Sequence, residues 1–284
     1  MTVWFITGAS RGFGAEIVEK ALADGHQVVA TARNPKSITE RFPDAGDALV
    51  AAAADVTDEA QIAAAVEAGL SAFGRIDVVV NNAGRGLLGA VEEASDEAAR
   101  AVYDANVFGS LNVIRVVLPT LRRQRSGHII NLSSIGGFAG AAGWGIYCST
   151  KFAVEGFSEA LHQELAPLGI HVTIVEPGYF RTDFLDGSSL ETEANVIDDY
   201  ADTAGTTRAH ATDVNHNQPG DPVKAAAAIV DLASAPEPPL RIQLGRDAFD
   251  GVANKLSFVA EEQRAWRDVA NSTDHDDVAA AVQD

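Results

Sequence analysis

Along the first half of the chain, short runs of Val, Ile, Leu and Ala alternate with longer Ala-rich segments whose charged residues recur at helical spacing, the pattern of βαβ units and a parallel sheet. The runs predict strands at Val3 to Thr7, Gln27 to Ala32, Leu49 to Ala54, Ile76 to Asn81, His128 to Leu132, His171 to Glu176 and Leu240 to Leu244. Between them the spacing predicts helices near Gly12 to Asp24, Asp58 to Phe73, Ser95 to Arg123, Trp144 to Ala166 and Pro222 to Ser234. The expected architecture is one α/β domain with a doubly wound, mostly parallel seven-stranded sheet and helices on both faces. After Glu176 the period is lost. The stretch 178–219 mixes Gly, Ser, Thr, Asn and Asp with scattered apolar residues and reads as a long loop over a substrate site. Residues 246–284 read as a helical extension packed on the same domain, helical through Trp266 and fraying where Asp274, Asp276 and Asp277 make the tail acidic.

Composition narrows the partners. Apolar residues make up 46% and charged residues 21% of the 284, enough for a substantial core and unlike a disordered or collagenous chain. Lys and Arg number 21 against 40 Asp and Glu, a formal net charge of −19 that repels phosphate backbones and anionic headgroups. No nucleic-acid partner is expected. Cys148 is the single cysteine, so no intrachain disulfide forms and a reducing, cytoplasmic location is expected. The N-terminal apolar run is short and lacks a basic flank, and no later run exceeds the seven residues Ala48 to Ala54, so neither a signal peptide nor a membrane span is expected.

The first strand ends in Thr7-Gly8-Ala9-Ser10-Arg11-Gly12-Phe13-Gly14 before a predicted helix. Glycines there let the backbone approach a pyrophosphate, whose charge suits the exposed N–H groups and positive dipole of the helix end. At the end of the second strand stands Arg33, where a carboxylate would favour the free ribose hydroxyl of NAD. With Arg11 it offers two guanidiniums to a 2′-phosphate, which selects NADP(H); a solvated strand-end charge is the alternative for Arg33. Further on, Tyr147 and Lys151 stand four residues apart on one helical face, where the cation favours the phenolate and lowers the tyrosine pKa. Ser133-Ser134 follow the fifth predicted strand, Asn81-Asn82-Ala83-Gly84 closes the fourth, Asn106 lies in the next helix, and Pro177-Gly178 ends the sixth. All converge on the carboxyl edge of the sheet, where open α/β sheets bind ligands.

In this order the motifs resemble the short-chain dehydrogenase/reductase family, over residues 2 to 245. The resemblance implies a Rossmann-like fold, an NADP(H) cofactor, a homodimer or homotetramer, and interconversion of a carbonyl and an alcohol on a hydrophobic small molecule. By the same resemblance Tyr147 is the general acid/base, Lys151 lowers its pKa and holds the nicotinamide ribose, and Asn106 keeps a relay water. Ser134, thirteen residues before Tyr147, steadies the substrate oxygen and leaves Ser133 structural. Asp55 and Val56 contact adenine, with Asp55 as an N-cap of the following helix the alternative or additional role. Gly8, Ser10, Arg11, Gly12, Phe13 and Gly14 cradle the phosphates, and Asn82, Ala83 and Gly84 line the ribose. Pro177, Gly178, Phe180 and Thr182 clamp the nicotinamide. Ala-Arg-Asn-Pro at 32 to 35 and the lengthened loop and tail are similar to the branch that includes steroid and retinol dehydrogenases. Two rivals share the fold: an epimerase or dehydratase, which usually carries a larger C-terminal domain, and an NADPH-sensing regulator without turnover.

Other residues read more plainly. Cys148 lacks a histidine partner for nucleophilic work. His210, Asp213 and His216 fit no standard metal spacing, and no metal is expected. Arg122, Arg123 and Arg125 complement a helix C-terminus. Trp144, Phe180, Phe184 and Tyr200 either wall a substrate pocket or pack the loop onto the core.

Overall fold

A computed structural model describes residues 1–275, so the part of the acidic tail holding Asp276 and Asp277 lies outside the described residues. The chain begins with β1 (Val3–Ile6), α1 (Gly12–Ala23), β2 (Gln27–Ala32), α2 (Lys36–Arg41), β3 (Leu49–Ala53) and α3 (Glu59–Phe73). There follow β4 (Val78–Asn81), β5 (Gly86–Leu88), α4 (Asp96–Tyr103), α5 (Gly109–Gln124), β6 (Gly127–Leu132), α6 (Gly145–Leu165) and β7 (Ile170–Pro177). The last third contains β8 (Leu190–Thr192), α7 (Thr206–Val214), α8 (Pro222–Leu232), β9 (Arg241–Leu244), α9 (Arg246–Ala265) and α10 (Arg267–Asn271).

Seven strands pair in parallel in the order β3-β2-β1-β4-β6-β7-β9, the doubly wound sheet expected. Period-two alternation along each strand divides the core. Trp4, Ile6, Val28, Val80 and Ile130 face α1 and α8, while Phe5, Val29, Val79 and Ile129 face α3, α5 and α6. Strand order reverses between β1 and β4, which opens a crevice at their carboxyl ends. There the glycine loop after β1 meets the Asn-Asn-Ala-Gly turn after β4.

Four features depart from or refine the expectations. The region 178–219 is not structureless: it contains β8, which pairs in parallel with β5 in a separate two-stranded ribbon, and α7. Asp58, not Asp55, caps α3, its carboxylate accepting from the Ala60 and Gln61 amides, while Asp55 accepts from the Thr57 amide and hydroxyl in a tight turn. Among its described residues the C-terminal extension is buried only in its first two turns. Ala248 and Val252 are its buried residues, and Phe249, Leu256, Phe258 and Trp266 are exposed. Finally, Asp96–Gln124 taken as one helix has 29 residues and an apolar stretch of mean hydropathy 1.2, long and apolar enough to cross a membrane. Half of that stretch is buried in the domain, where Val113, Val117 and Leu121 pack beneath the sheet.

Candidate active site

Asn82 fastens the glycine loop. Its carboxamide donates to the Thr7 carbonyl at 2.9 Å and the Gly8 carbonyl at 3.0 Å, while the Asn82 and Ala83 amides donate to the Thr7 hydroxyl. Gly8 holds φ +63°, and a Cβ on Gly14 would strike the Gly8 carbonyl and the Asn82 carboxamide. Neither position admits another residue without backbone movement. The loop forms one wall of a cleft of about 540 Å³ that also touches Ser10, Arg11, Gly12, Phe13, Arg33, Asp55, Val56, Ala83 and Gly84. The predicted dinucleotide residues are therefore brought together. Arg33 is exposed at the mouth, whereas Arg11 is engaged, donating to the Ser188 carbonyl and Ser189 hydroxyl at 2.9 Å each. Only Arg33 is thus free of the loop that follows β7. Thr182 lies over Gly12 and its hydroxyl accepts from the Phe184 amide.

Tyr147 and Lys151 sit one turn apart on α6, and the Lys151 ammonium lies 5.8 Å from the Tyr147 ring centroid. Lys151 Nζ donates to the Leu132 carbonyl at 2.8 Å, which anchors it to the end of β6. Burial raises the Tyr147 phenol above its ordinary value, with the Ser134 hydroxyl opposing. Burial also pushes Lys151 down to about 8, with the Glu155 charge opposing. The direction for the phenol is thus set by burial, not by Lys151. Desolvation in a closed apolar site outweighs a cation that is turned toward a backbone carbonyl.

Ser134 caps the short 3₁₀ turn Ile135–Gly137, its hydroxyl accepting from the Gly136 amide at 3.0 Å, and it faces the same cavity as Tyr147. Asn106 occupies a five-residue π turn, Asp104–Phe108, between α4 and α5. Its carboxamide accepts from the Arg85 amide and donates to the Arg85 carbonyl and the Thr150 hydroxyl. The side chain thus rivets the turn after β4 to α6, and a Cβ on Gly84 would fall 3.0 Å from it and 3.8 Å from Lys151 Nζ.

Beside Tyr147 opens a second cavity of about 320 Å³, walled by Ser134, Ile135, Trp144, Phe180, Phe184 and Leu185. Trp144 meets Tyr147 edge-on with centroids 5.6 Å apart, and Phe184 tilts against it at 5.6 Å. Phe180 packs edge-on at 5.1 Å to Phe13, which lines both clefts. Tyr200 lies outside this wall, its hydroxyl donating to Glu92 at 2.6 Å, which corrects its expected place. Gly178 donates to the Leu244 carbonyl, and its missing Cβ leaves room for the Asp247 carboxylate, which accepts from the Tyr179 amide at 2.6 Å. The sequence did not point to Glu93, which is buried and accepts from Arg208 at 2.6 Å and from the Ala90 and Ile197 amides. It fastens the segment over the pocket. Ile135, Leu185 and buried Gln218 also line the cavity without any local motif to mark them.

Comparison with known proteins agrees with this arrangement. The family described as short chain dehydrogenase matches residues 2–193. Oxidoreductase BOA17 of Botryotinia fuckeliana is 40% identical over 94% of this chain and 97% of its own. A 3-ketodihydrosphingosine reductase of Bacteroides thetaiotaomicron is 38% identical over 84% and 86%. A crystal structure of a short-chain dehydrogenase from Streptomyces avermitilis superposes with a TM-score of 0.90 at 40% identity, covering 96% of this chain and all of that one. Solved structures of this fold hold NAD in some cases and NADP in others. With its seven-stranded sheet, glycine-loop cleft and Tyr147–Lys151 pair, the chain belongs to the short-chain dehydrogenase family, as an oxidoreductase on an NAD(P)-binding fold.

Proposed function

We propose that the protein interconverts a carbonyl and an alcohol on a hydrophobic small molecule with NADP(H). The observation that carries this reading is Tyr147 in the wall of an aromatic cavity that shares Phe13, Asn82, Gly84 and Thr182 with the glycine-walled cleft. NADP(H) over NAD(H) is supported by Arg33, exposed where a carboxylate would otherwise repel the 2′-phosphate. An apolar substrate is supported by Trp144, Phe180, Phe184 and Leu185, and a carbonyl substrate by the likeness to the 3-ketodihydrosphingosine reductase named above.

The residues present fit the dinucleotide: the bare Gly8 and Gly14 positions leave a cradle that any Cβ would fill. Gly8, Ser10, Gly12 and Gly14 would take the pyrophosphate, Asp55 and Val56 the adenine, and Asn82, Ala83 and Gly84 the ribose. Lys151 would hold the nicotinamide ribose, while Pro177, Gly178, Phe180 and Thr182 would hold the ring. When bound, the nicotinamide supplies or accepts the hydride. The Ser134 and Tyr147 hydroxyls hold the substrate oxygen, and in reduction Tyr147 gives its phenolic proton to that oxygen, so no isolated alkoxide accumulates. A phenol held above its ordinary value is stocked for that donation at neutral pH. Trp144 and the segment above the cavity exclude water. Asn106 holds the Arg85 backbone and α6 in place.

The test is NADPH consumption with a panel of hydrophobic ketones and aldehydes, run beside NADH and beside Tyr147→Phe. Turnover should fall about 10²- to 10⁴-fold in Tyr147→Phe while NADPH binding persists. Undiminished turnover in that variant refutes the proton role. Silence across the panel with tight NADPH binding redirects the reading to a sensor without turnover.

A further inference from the structure

One turn along α6 from Lys151 lies a carboxylate that the reaction above does not use. Glu155 is 6% exposed and Lys151 7%, and both stand on the same helical face. Side chains four apart on a helix are neighbours, with about 5–6 Å between their Cβ atoms. The 3₁₀ turn after Ser134 closes over both, because a Cβ on Gly137 would meet the Lys151 carbonyl at 3.1 Å and Glu155 Cγ at 3.2 Å.

A carboxylate removed from water is costly unless it is paired. Arg241 of β9 provides the pairing: its Nε is 2.9 Å from Glu155 and 3.4 Å from Glu176 of β7, and its guanidinium also binds Glu159 nearer the surface. Gln243 donates to the second Glu176 oxygen at 2.7 Å. Three carboxylates thus share one guanidinium. Glu155 Oε1, Glu176 Oε1 and the Ser133 hydroxyl are buried there, and burial raises the Glu155 carboxyl while Ser133 and Arg241 oppose it and favour the ionised form. Titratable and charged groups about this part of α6 include Tyr147 and Cys148 with Tyr179 on the cavity side, and Glu155 and Glu159 with Glu176 of β7 and Arg241 of β9 on the other. Three carboxylates against one guanidinium leave negative charge one helical turn from Lys151, whose ammonium form burial disfavours.

We propose that Glu155, held ionised by Arg241, is the counter-charge that keeps Lys151 an ammonium ion at neutral pH. The proposal rests on the reading that Tyr147 and Lys151 serve the proton step. An ammonium beside the phenol favours release of its proton, and a neutral amine does not. Glu155 touches neither cleft and acts through Lys151, so it is a positioning residue.

The protein holds five lysines, Lys20, Lys36, Lys151, Lys224 and Lys255. With ¹³Cε-labelled lysine, the Lys151 resonance is identified by its loss in Lys151→Arg and titrated directly by NMR, without cofactor or substrate. In the native protein it should titrate near pH 8. Glu155→Gln should lower that midpoint by about one pH unit, and Glu155→Asp should preserve it. A midpoint unmoved in folded Glu155→Gln overturns the proposal. If that variant does not fold, the native protein decides: the Lys151 resonance must show a second, smaller step in the acid range as Glu155 takes its proton, and a single step overturns the proposal. The alkaline limb of kcat should follow the Lys151 midpoint in each variant. Loss of negative charge lowers the pKa of lysine and phenol alike, so that limb can move only toward lower pH, whereas a merely structural role leaves it in place. If the native protein reduces no carbonyl, the functional reading fails, and the Lys151 midpoint still judges Glu155.

Discussion

Arg33 and Arg11 stand at the same cleft, yet the structure separates their roles. Arg11 is committed to Ser188 and Ser189, so on the proposed NADP(H) reading the burden of a 2′-phosphate would fall on Arg33 at the end of β2. A charge-assisted hydrogen bond to such a group contributes about 1.5–3 kcal/mol, which corresponds to roughly a ten- to hundredfold change in affinity. Arg33→Ala should therefore raise the NADPH dissociation constant by that factor and leave NADH nearly unchanged, as read by fluorescence titration of both dinucleotides. Equal losses for the two would mean that Arg33 supports the strand end and not the phosphate. Arg11→Ala should behave differently: it frees the Ser188–Ser189 loop, so both dinucleotides lose affinity together.

At the scale of elements, a buried acid helps to secure the segment over the pocket. Arg208 beside Glu93 holds that carboxyl down at about 2, against an ordinary 4.5, with the Ile197 and Ala90 amides adding to the effect. A carboxyl depressed in this way contributes fully above about pH 4.5, and the contribution is lost as pH falls toward 2. Arg208→Gln removes the charge that α7 brings to this contact. It should raise KM several-fold with a smaller effect on kcat and speed proteolytic cleavage between residues 193 and 205; unchanged cleavage would show that the segment is held elsewhere. Nothing in the sequence marked this device. The seven sheet strands and the long helices were legible because each carries several buried residues at its own period, and Tyr147, Lys151, Ser134 and the glycines because their spacings are local. β8 is three residues long, too short to show alternation, and its partner β5 lies about a hundred residues earlier in the chain. α7 has β-branched and Asp residues in Thr-Thr-Arg-Ala-His-Ala-Thr-Asp-Val and no side-chain cap, so intrinsic propensity argues against it and tertiary contact decides. The π turn at Asn106 is set by the Arg85 backbone and Thr150, which no window around residue 106 contains.

Across the whole molecule the net charge of −19 is mostly a matter of the surface, and acidification relieves it. The core responds in the opposite sense through His128, in the centre of the sheet. Thr173 donates its hydroxyl proton to the Pro239 carbonyl at 2.7 Å, so the His128 Nε2 contact at 2.9 Å must be an imidazole N–H donating to that hydroxyl. A second proton would have to enter at Nδ1 in a dry interior, with His171 edge-on at 5.9 Å. Burial, and then His171, push His128 down from 6.5 to about 4. The unfolded chain accepts this proton first, so the stability from a neutral His128 is complete above pH 6.5 and drains away as pH falls toward 4, a loss of about 3 kcal/mol for a shift of this size. Glu155 and Glu176, both raised by burial, work the other way and gain from acid. Depressed carboxyls such as Glu93 add their own loss only below about pH 4.5. Between pH 6.5 and 4.5 His128 therefore takes denaturation free energy away while Glu155 and Glu176 return some, so its share is the difference between the native protein and a variant without the imidazole. His128→Leu keeps the Thr173–Pro239 bond and should lose less denaturation free energy than the native protein as pH falls from 6.5 to 4, measured by urea unfolding at half-unit steps; parallel curves for the two proteins would remove His128 from the account.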